Sequence, residues 1–500
     1  MFVLAVLGCP TNTTTDDTTP VDTDTDTLTT ETAHESDSGF DSGDSGSPYD
    51  TDVPCTPNTV FPADDALADF ALDGPTAYTS AGLSLAVADL DGDGTKDVIV
   101  GAPDDDSAAA GAGRVWLKYG PISGGGGLEL AADAWFDGEN NDDQAGRQIG
   151  VLGDIDGDDV TDVAVAATAC CGPNDNGKVY LGFGGAARHV GGSSLAAWDA
   201  SVQGSGALGH GITGIGDVNG DGLADVAFAD PMDGATEGRV YILQGSATRP
   251  PADIDETVLP FVTGAADDAM CGGRCLAGED FDGDGALDLA IATAGSAAGH
   301  VYVRYGDHAF PAADSATTYP SLDGTAGALF GATTASVGDL DGDGYVELAV
   351  ADPGNDEAAE NAGRLWVIRG DAVRWTATEQ LATKAWFTVA GTQTGAAVGS
   401  AVVGLGDVDC DGADDLAIGA AYADGVQPRS GVVGVWLAAA SGPQGLEDAT
   451  ARIQGSVSDQ GFGTALAHGD VDGDGEPDLL VGAPDHGTGA GRVYVLLDAF

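Results

Sequence analysis

The residues best placed to do chemistry are acidic and come in seven short stretches. The first is Asp89-Leu-Asp-Gly-Asp-Gly-Thr-Lys-Asp97, with carboxylates at positions one, three, five and nine and glycine at six. The second places Asp154, Asp156, Asp158 and Asp162 at the same positions. The third offers Asp217, Asn219, Asp221 and Asp225, and the fourth Asp280, Asp282, Asp284 and Asp288. The fifth has Asp339, Asp341, Asp343 and Glu347. Asp407, Asp409, Asp411 and Asp415 make the sixth, and Asp470, Asp472, Asp474 and Asp478 the seventh.

This spacing suits a hard cation. Ca²⁺ takes six to eight oxygens at about 2.3–2.6 Å. In a tight loop, alternate side chains turn inward, so positions one, three and five converge. Position nine adds a fourth carboxylate from the strand that follows. Position seven can add a backbone carbonyl, here from Thr95, Val160, Leu223, Ala286, Tyr345, Ala413 and Glu476. Glycine at position six permits the positive φ that closes the turn. An EF-hand would need a bidentate Glu at position twelve and a helix after it. Apolar residues such as Val100, Phe228 and Val481 stand there instead, inside strand-like runs. One such loop could be an ordinary Asp/Gly turn without metal. Seven with the same acidic positions argue against that, because unpaired carboxylates packed so closely repel. Mg²⁺ fits less well, since it keeps its waters. The expectation is up to seven Ca²⁺, one per loop. Asp159 replaces the glycine of the second loop and Asn219 removes a charge from the third, so these two should bind least tightly.

The elements around the loops repeat with them, at a period of roughly 60–70 residues, which marks a repeat architecture. The last unit shows the plan: a strand at Phe462–His468, the acidic turn, a strand at Asp478–Gly482, a glycine-rich loop, and a strand at Gly491–Leu497. Earlier units add a fourth, at Leu128–Phe136, Trp386–Ala390 and Ala449–Gln454. Four strands in each of seven units predict an all-β fold, a seven-bladed propeller of four-stranded antiparallel blades. The last unit lacks a fourth strand. Ala66–Leu72, ahead of the first unit, is expected to pair with Gly491–Leu497, closing the ring and covering an edge.

From about residue 61 the chain resembles the FG-GAP repeats of integrin alpha-subunit propellers. The likeness rests on Phe330-Gly331, Phe462-Gly463, Gly101-Ala-Pro103, Gly482-Ala-Pro484, the Gly-Arg-Val motifs at Gly113, Gly238 and Gly491, and the acidic loops. It implies a calcium-stabilised propeller that recognises a protein or glycan rather than an enzyme. It also implies that recognition lies on the face opposite the acidic loops. There the connections Ala102–Ala112, Thr168–Asn176, Asp352–Ala362 and Ala420–Ser430 share little with one another. The family's further metal motif, Asp-x-Ser-x-Ser, is absent.

Residues 1–9 form a short apolar run ending in Cys9, which resembles the lipobox of bacterial lipoproteins, although no basic segment precedes it. Cys9 is thus the expected lipidation site, and a lipid anchor there the only expected tie to a membrane. Residues 10–56 are rich in Thr, Asp, Ser, Gly and Pro, and predict a disordered acidic stalk. Residues 57–500 are the expected folded head, exported, at the cell surface and monomeric. The chain has 17 Lys and Arg against 81 Asp and Glu, a formal charge of −64. That balance disfavours nucleic acid and anionic membranes as partners. Cys271 and Cys275 could form a local disulfide, whereas Cys410 takes the place of a loop glycine.

No nucleophile elbow, His-Glu-x-x-His or phosphate-binding loop is present, and histidines such as His300 and His468 stand singly. The alternative to recognition is an extracellular propeller enzyme, such as a polysaccharide lyase or hydrolase. Arg369-Gly370-Asp371 matches a tripeptide that integrins recognise, but such a motif arises easily in an Asp/Gly-rich chain.

Overall fold

Short apolar strands that alternate with glycine and aspartate turns build seven small sheets, six of which combine strands of one repeat with a loan from another. The computed structural model describes residues 68–497 apart from 169–175, 234–236, 265–267, 271–273, 296–298, 307–309, 325–328 and 438–440. The expected lipidation site Cys9, the 10–56 stalk and Cys271 lie outside the described residues. Cys275 is disulfide-bonded. Among the described residues no helix is long and apolar enough to cross a membrane.

Blade one shows the common pattern. Its inner strand Ser84–Ala88 pairs antiparallel with Asp97–Ala102, that with Arg114–Lys118, and that with Ala134–Asp137. Two sequence expectations change here. Leu128–Ala131, read as the start of the fourth strand, is a helical turn that buries Leu128 and leaves Leu130 exposed. Among the described residues, six of the seven blades are also wider than four strands, and blade six alone keeps the expected four. In blade one, Gly191–Ser194 adds a fifth strand, parallel to Ala134–Asp137, although it belongs to the connection between strands three and four of blade two. Asp253–Asp255, Ala313–Ser315, Glu379–Gln380 and Gly442–Gly445 do the same for blades two to five. Each connection thereby covers the outer edge of the preceding sheet, whose N–H and C=O groups would otherwise be open.

The ring closes as the sequence predicts. Phe70–Asp73 pairs antiparallel with Arg492–Leu496, and Gly126–Gly127 of blade one then adds to Phe70–Asp73 in parallel. Arg492 Nε donates to Asp73 Oδ1 at 2.6 Å across this seam.

The core lies between blades. Second strands such as Asp162–Ala167 and Asp478–Ala483 are buried along their whole length, because neighbouring blades cover both faces. Phe330 and Phe462 are wholly buried, against Trp366 and Tyr494 at ring distances of 5.9 and 5.3 Å. Close approach explains the glycine of Gly482-Ala-Pro484. A Cβ there would lie 2.1 Å from the Gly82 carbonyl oxygen of blade one, so only glycine lets the two backbones meet.

Candidate metal centres

Each acidic loop joins strands one and two of its blade, so all seven sit at the same end of their blades. Their backbone is held by their own carboxylates. In loop one, Asp89 Oδ1 accepts from the Gly92 N–H at 2.8 Å and Oδ2 from the Gly94 N–H at 2.8 Å. Asp93 Oδ1 accepts from the position-seven N–H, Thr95, at 2.9 Å. The equivalent position-seven N–H bond recurs from Val160, Leu223, Ala286, Tyr345, Ala413 and Glu476. Positive φ is needed at position six, as expected, and also at position four, which the sequence reading did not foresee. Glycine fills both except at two places. Asp159 holds position six of loop two and Cys410 position four of loop six, each at φ 64°.

Position nine is the deepest group. Asp97 is fully buried and accepts from Leu90 N–H and Gly120 N–H, both at 2.9 Å. It thus ties the start of the loop to the end of strand three. Asp162, Asp225 and Asp288 repeat this double bond. Burial pushes the carboxyls of Asp97, Asp162, Asp225 and Asp288 up to about 7 and that of Glu347 to about 8. Backbone N–H bonds oppose the rise, and the neighbouring loop carboxylates add to it.

The structure brings most of the sequence-predicted ligands together. Oxygens of Asp339, Asp341, Asp343 and Glu347 lie within 4.8 Å of one another. So do those of Asp89, Asp91 and Asp97, of Asp154, Asp156 and Asp162, of Asp280, Asp282 and Asp288, and of Asp407, Asp409 and Asp415. In these last four loops position five stands outside the tight group. Among the loop ligands, Asp156 Oδ1, Asp341 Oδ1 and Glu347 Oε1 are buried without a hydrogen-bond partner, while Asp341 Oδ2 faces Arg369. A buried carboxylate oxygen without a donor is costly, and a hard cation is a fitting partner for it. On donor type, convergence and orphaned oxygens, the residues fit a divalent cation of the calcium class.

Sequence reasoning missed a set of arginines. Arg188 ion-pairs with Asp91 and, at 2.6 Å, with Asp93 of loop one. Arg249 pairs with Asp156 and Asp158 of loop two, and Arg374 with Asp282 and Asp284 of loop four. Each comes from the blade that follows, four residues after a glycine: Gly184, Gly245 and Gly370. That recurrent spacing was the available signal. Arg369 pairs with Asp341 inside its own blade and stacks on Trp386. The first residue of the Arg-Gly-Asp tripeptide is therefore engaged with loop five.

Backbone bonds join neighbouring loops as well. The connection between strands three and four donates to the position-two carbonyl of the preceding loop, as from Gly185 to Leu90 at 2.9 Å and Ile122 to Val471 at 2.7 Å. Position eight donates to position one of the preceding loop, as from Lys96 to Asp470 at 3.1 Å. The acidic loops thus touch around the ring rather than standing alone.

Residues 81–117 and 462–496 match the FG-GAP repeat, and residues 280–350 match the FG-GAP-like repeat. Integrin alpha-PS2 of Drosophila melanogaster is 32% identical over 233 residues, 43% of this chain and 15% of that protein. Integrin alpha-V of Gallus gallus is 29% identical over 229 residues, 44% of this chain and 20% of that protein. Phosphatidylinositol-glycan-specific phospholipase D of Bos taurus is 32% identical over 167 residues, 32% of this chain and 19% of that protein. The chain thus spans no more than a fifth of any of these three.

Proposed function

We propose that this chain, a β-propeller of FG-GAP repeats of the integrin alpha type, is a calcium-stabilised recognition module and not a catalyst. The observation that carries the reading is the repeated acidic loop with its buried, unpartnered oxygens. One loop of this kind could be a site of action; the same loop in every blade reads as scaffold. When bound, calcium would supply positive charge between carboxylates that otherwise repel. Positions one, three, five and nine would hold it, with the position-seven carbonyl. Binding only to the folded state stabilises that state by mass action.

The partner is a protein or glycan, met on the face opposite the acidic loops. Connections between strands two and three, and from strand four to the next blade, emerge there. They expose apolar side chains, Tyr78 at 74% and Met232 at 70%. Ala420–Ser430 contains only Tyr422 as an aromatic platform, which favours a protein over a sugar. The disulfide at Cys275 suits an exported protein. The phospholipase name belongs to a protein of which this chain matches a fifth or less, so it carries no enzymatic reading here.

The test is thermal melting of the full chain with calcium and after its removal, together with capture of cell-surface proteins in both conditions. Melting should rise steeply with calcium. Replacing the exposed tips 356–360 and 424–428 by Gly/Ser should abolish capture and leave calcium-dependent melting intact. A melting curve indifferent to calcium sinks the first half of the reading, and capture that survives the replacement sinks the second.

A further inference from the structure

The arginines found beside the acidic loops come with a second part. Arg188 stacks on Tyr119 at 4.9 Å, Arg249 on Phe183 at 4.7 Å, and Arg374 on Tyr305 at 5.2 Å. Each ring is the residue directly after strand three of the blade whose loop is addressed. A guanidinium held over a ring and forked onto two carboxylates is fixed in place.

Ring and arginine come and go together along the chain. Blade three has Gln244 where the ring should be, and blade four supplies Phe310 where the arginine should be. Blade seven has Leu497 at the ring position, and blade one supplies Gly124. Blade six has Leu437 at the ring position. Among the described residues, no arginine pairs with positions three and five of loops three, six or seven.

In loops one and four the arginine takes the oxygens that a cation would use, whereas in loop two it leaves Asp156 Oδ1 without a donor. In loop one, Asp91 Oδ1 and Asp93 Oδ1 already accept backbone N–H bonds. Arg188 is on the Oδ2 atom of both. We infer that Arg188, Arg249 and Arg374 are internal counter-cations that compete with calcium at loops one, two and four. The ring therefore holds two classes of loop. The open loops three, six and seven fill at low calcium, loop three against the sequence expectation drawn from Asn219, and the arginine-closed loops fill only at higher calcium. A like charge within a few ångströms of a divalent ion is strongly repelled, and more so at a partly buried site. Loop five, closed by Arg369 from its own blade, falls with the second class.

This inference rests on the calcium reading, and one calorimetric calcium titration of the full chain separates the two. The wild-type chain should show a tight class and a weaker one. R188Q/R249Q/R374Q should move three sites into the tight class, each by about tenfold or more. G124R/L497Y, which carries ring and arginine to loop seven, should remove one tight site. Gly124 has no heavy atom within 4 Å of where its Cβ would stand, so the graft meets no clash at that position. If the wild-type chain takes up no calcium at millimolar concentration, the calcium reading falls and this one with it. If calcium binds but both variants match the wild type, only the competition falls. If R188Q/R249Q/R374Q binds calcium less tightly, the arginines orient the ligands instead, and the inference is overturned.

Discussion

Loops three and four share nearly the same backbone and differ in what leans on them. In both, the first aspartate accepts from the N–H groups of positions five and six, and the ninth accepts from position two and from the glycine two residues past strand three, Gly245 or Gly306. Both hold position-nine carboxyls at about 7. Yet loop four carries Arg374 on Asp282 and Asp284, over Tyr305. At the equivalent position for loop three stands Phe310, whose ring lies under Arg304 at 4.1 Å. Loop shape is therefore a local property, fixed by glycines and by carboxylates that cap the loop's own N–H groups. Loop charge is a neighbour's property, fixed by the blade that follows.

Withdrawing calcium should separate the two kinds most sharply. Open loops have no guanidinium on positions three and five to replace the lost cation, whereas closed loops keep one. Hydrogen exchange after calcium removal should quicken by about tenfold or more in 217–225, 407–415 and 470–478. The loops at 89–97, 154–162 and 280–288 should change far less. Uniform quickening of all seven would break the comparison.

Acidity tests what the two kinds share. Burial raises the position-nine carboxyls of Asp97, Asp162, Asp225 and Asp288 to about 7 and that of Glu347 to about 8 in the folded, metal-free chain, against 3.8 for Asp and 4.5 for Glu when free. At pH below both values the two states are alike in protonation. Between them the unfolded chain has lost protons that the folded chain keeps, so stability falls as pH rises. Metal-free melting should be highest below about pH 4, fall steadily as pH rises to 7–8 and level off above, with calcium flattening the slope. A metal-free chain that melts higher at pH 8 than at pH 5 would contradict the assigned burial.

The smallest effect concerns the two strained positions, one in each kind of loop. Asp159→Gly and Cys410→Gly should each relieve about 1 kcal/mol of left-handed strain, raising calcium-loaded melting by a degree or two. A fall in melting at Cys410→Gly would show that this side chain contributes more than its backbone costs.

Much of this was legible in the sequence because it repeats. Blade number, the acidic loops and the closing strand all follow from residue types recurring at one period. What escaped was relational. The fifth strands are short, and Gly191–Ser194 or Gly442–Gly445 have no apolar alternation to announce them. Their pairing is parallel and to another blade. The arginines escaped for a like reason, since Arg188 lies 97 residues from Asp91. The positive φ at position four was hidden behind a glycine already explained by position six, until Cys410 exposed it.

The borrowed fifth strand also sets an order in time. Synthesis delivers the chain from its amino end. Blade one leaves the ribosome with its outer place empty, and only Gly191–Ser194 of the next blade can fill it. Blades two to five wait in the same way. Phe70–Asp73, the first strand among the described residues, has its antiparallel partner in Arg492–Leu496, the last of them. Blades one to five are thus finished by residues translated after them, whereas blade seven is finished by Phe70–Asp73 and Gly126–Gly127, translated long before it. A chain halted at any midpoint ends in open edges, which invite pairing with other chains. Propagation from blade one to blade six is a relay in which every runner holds part of the one before.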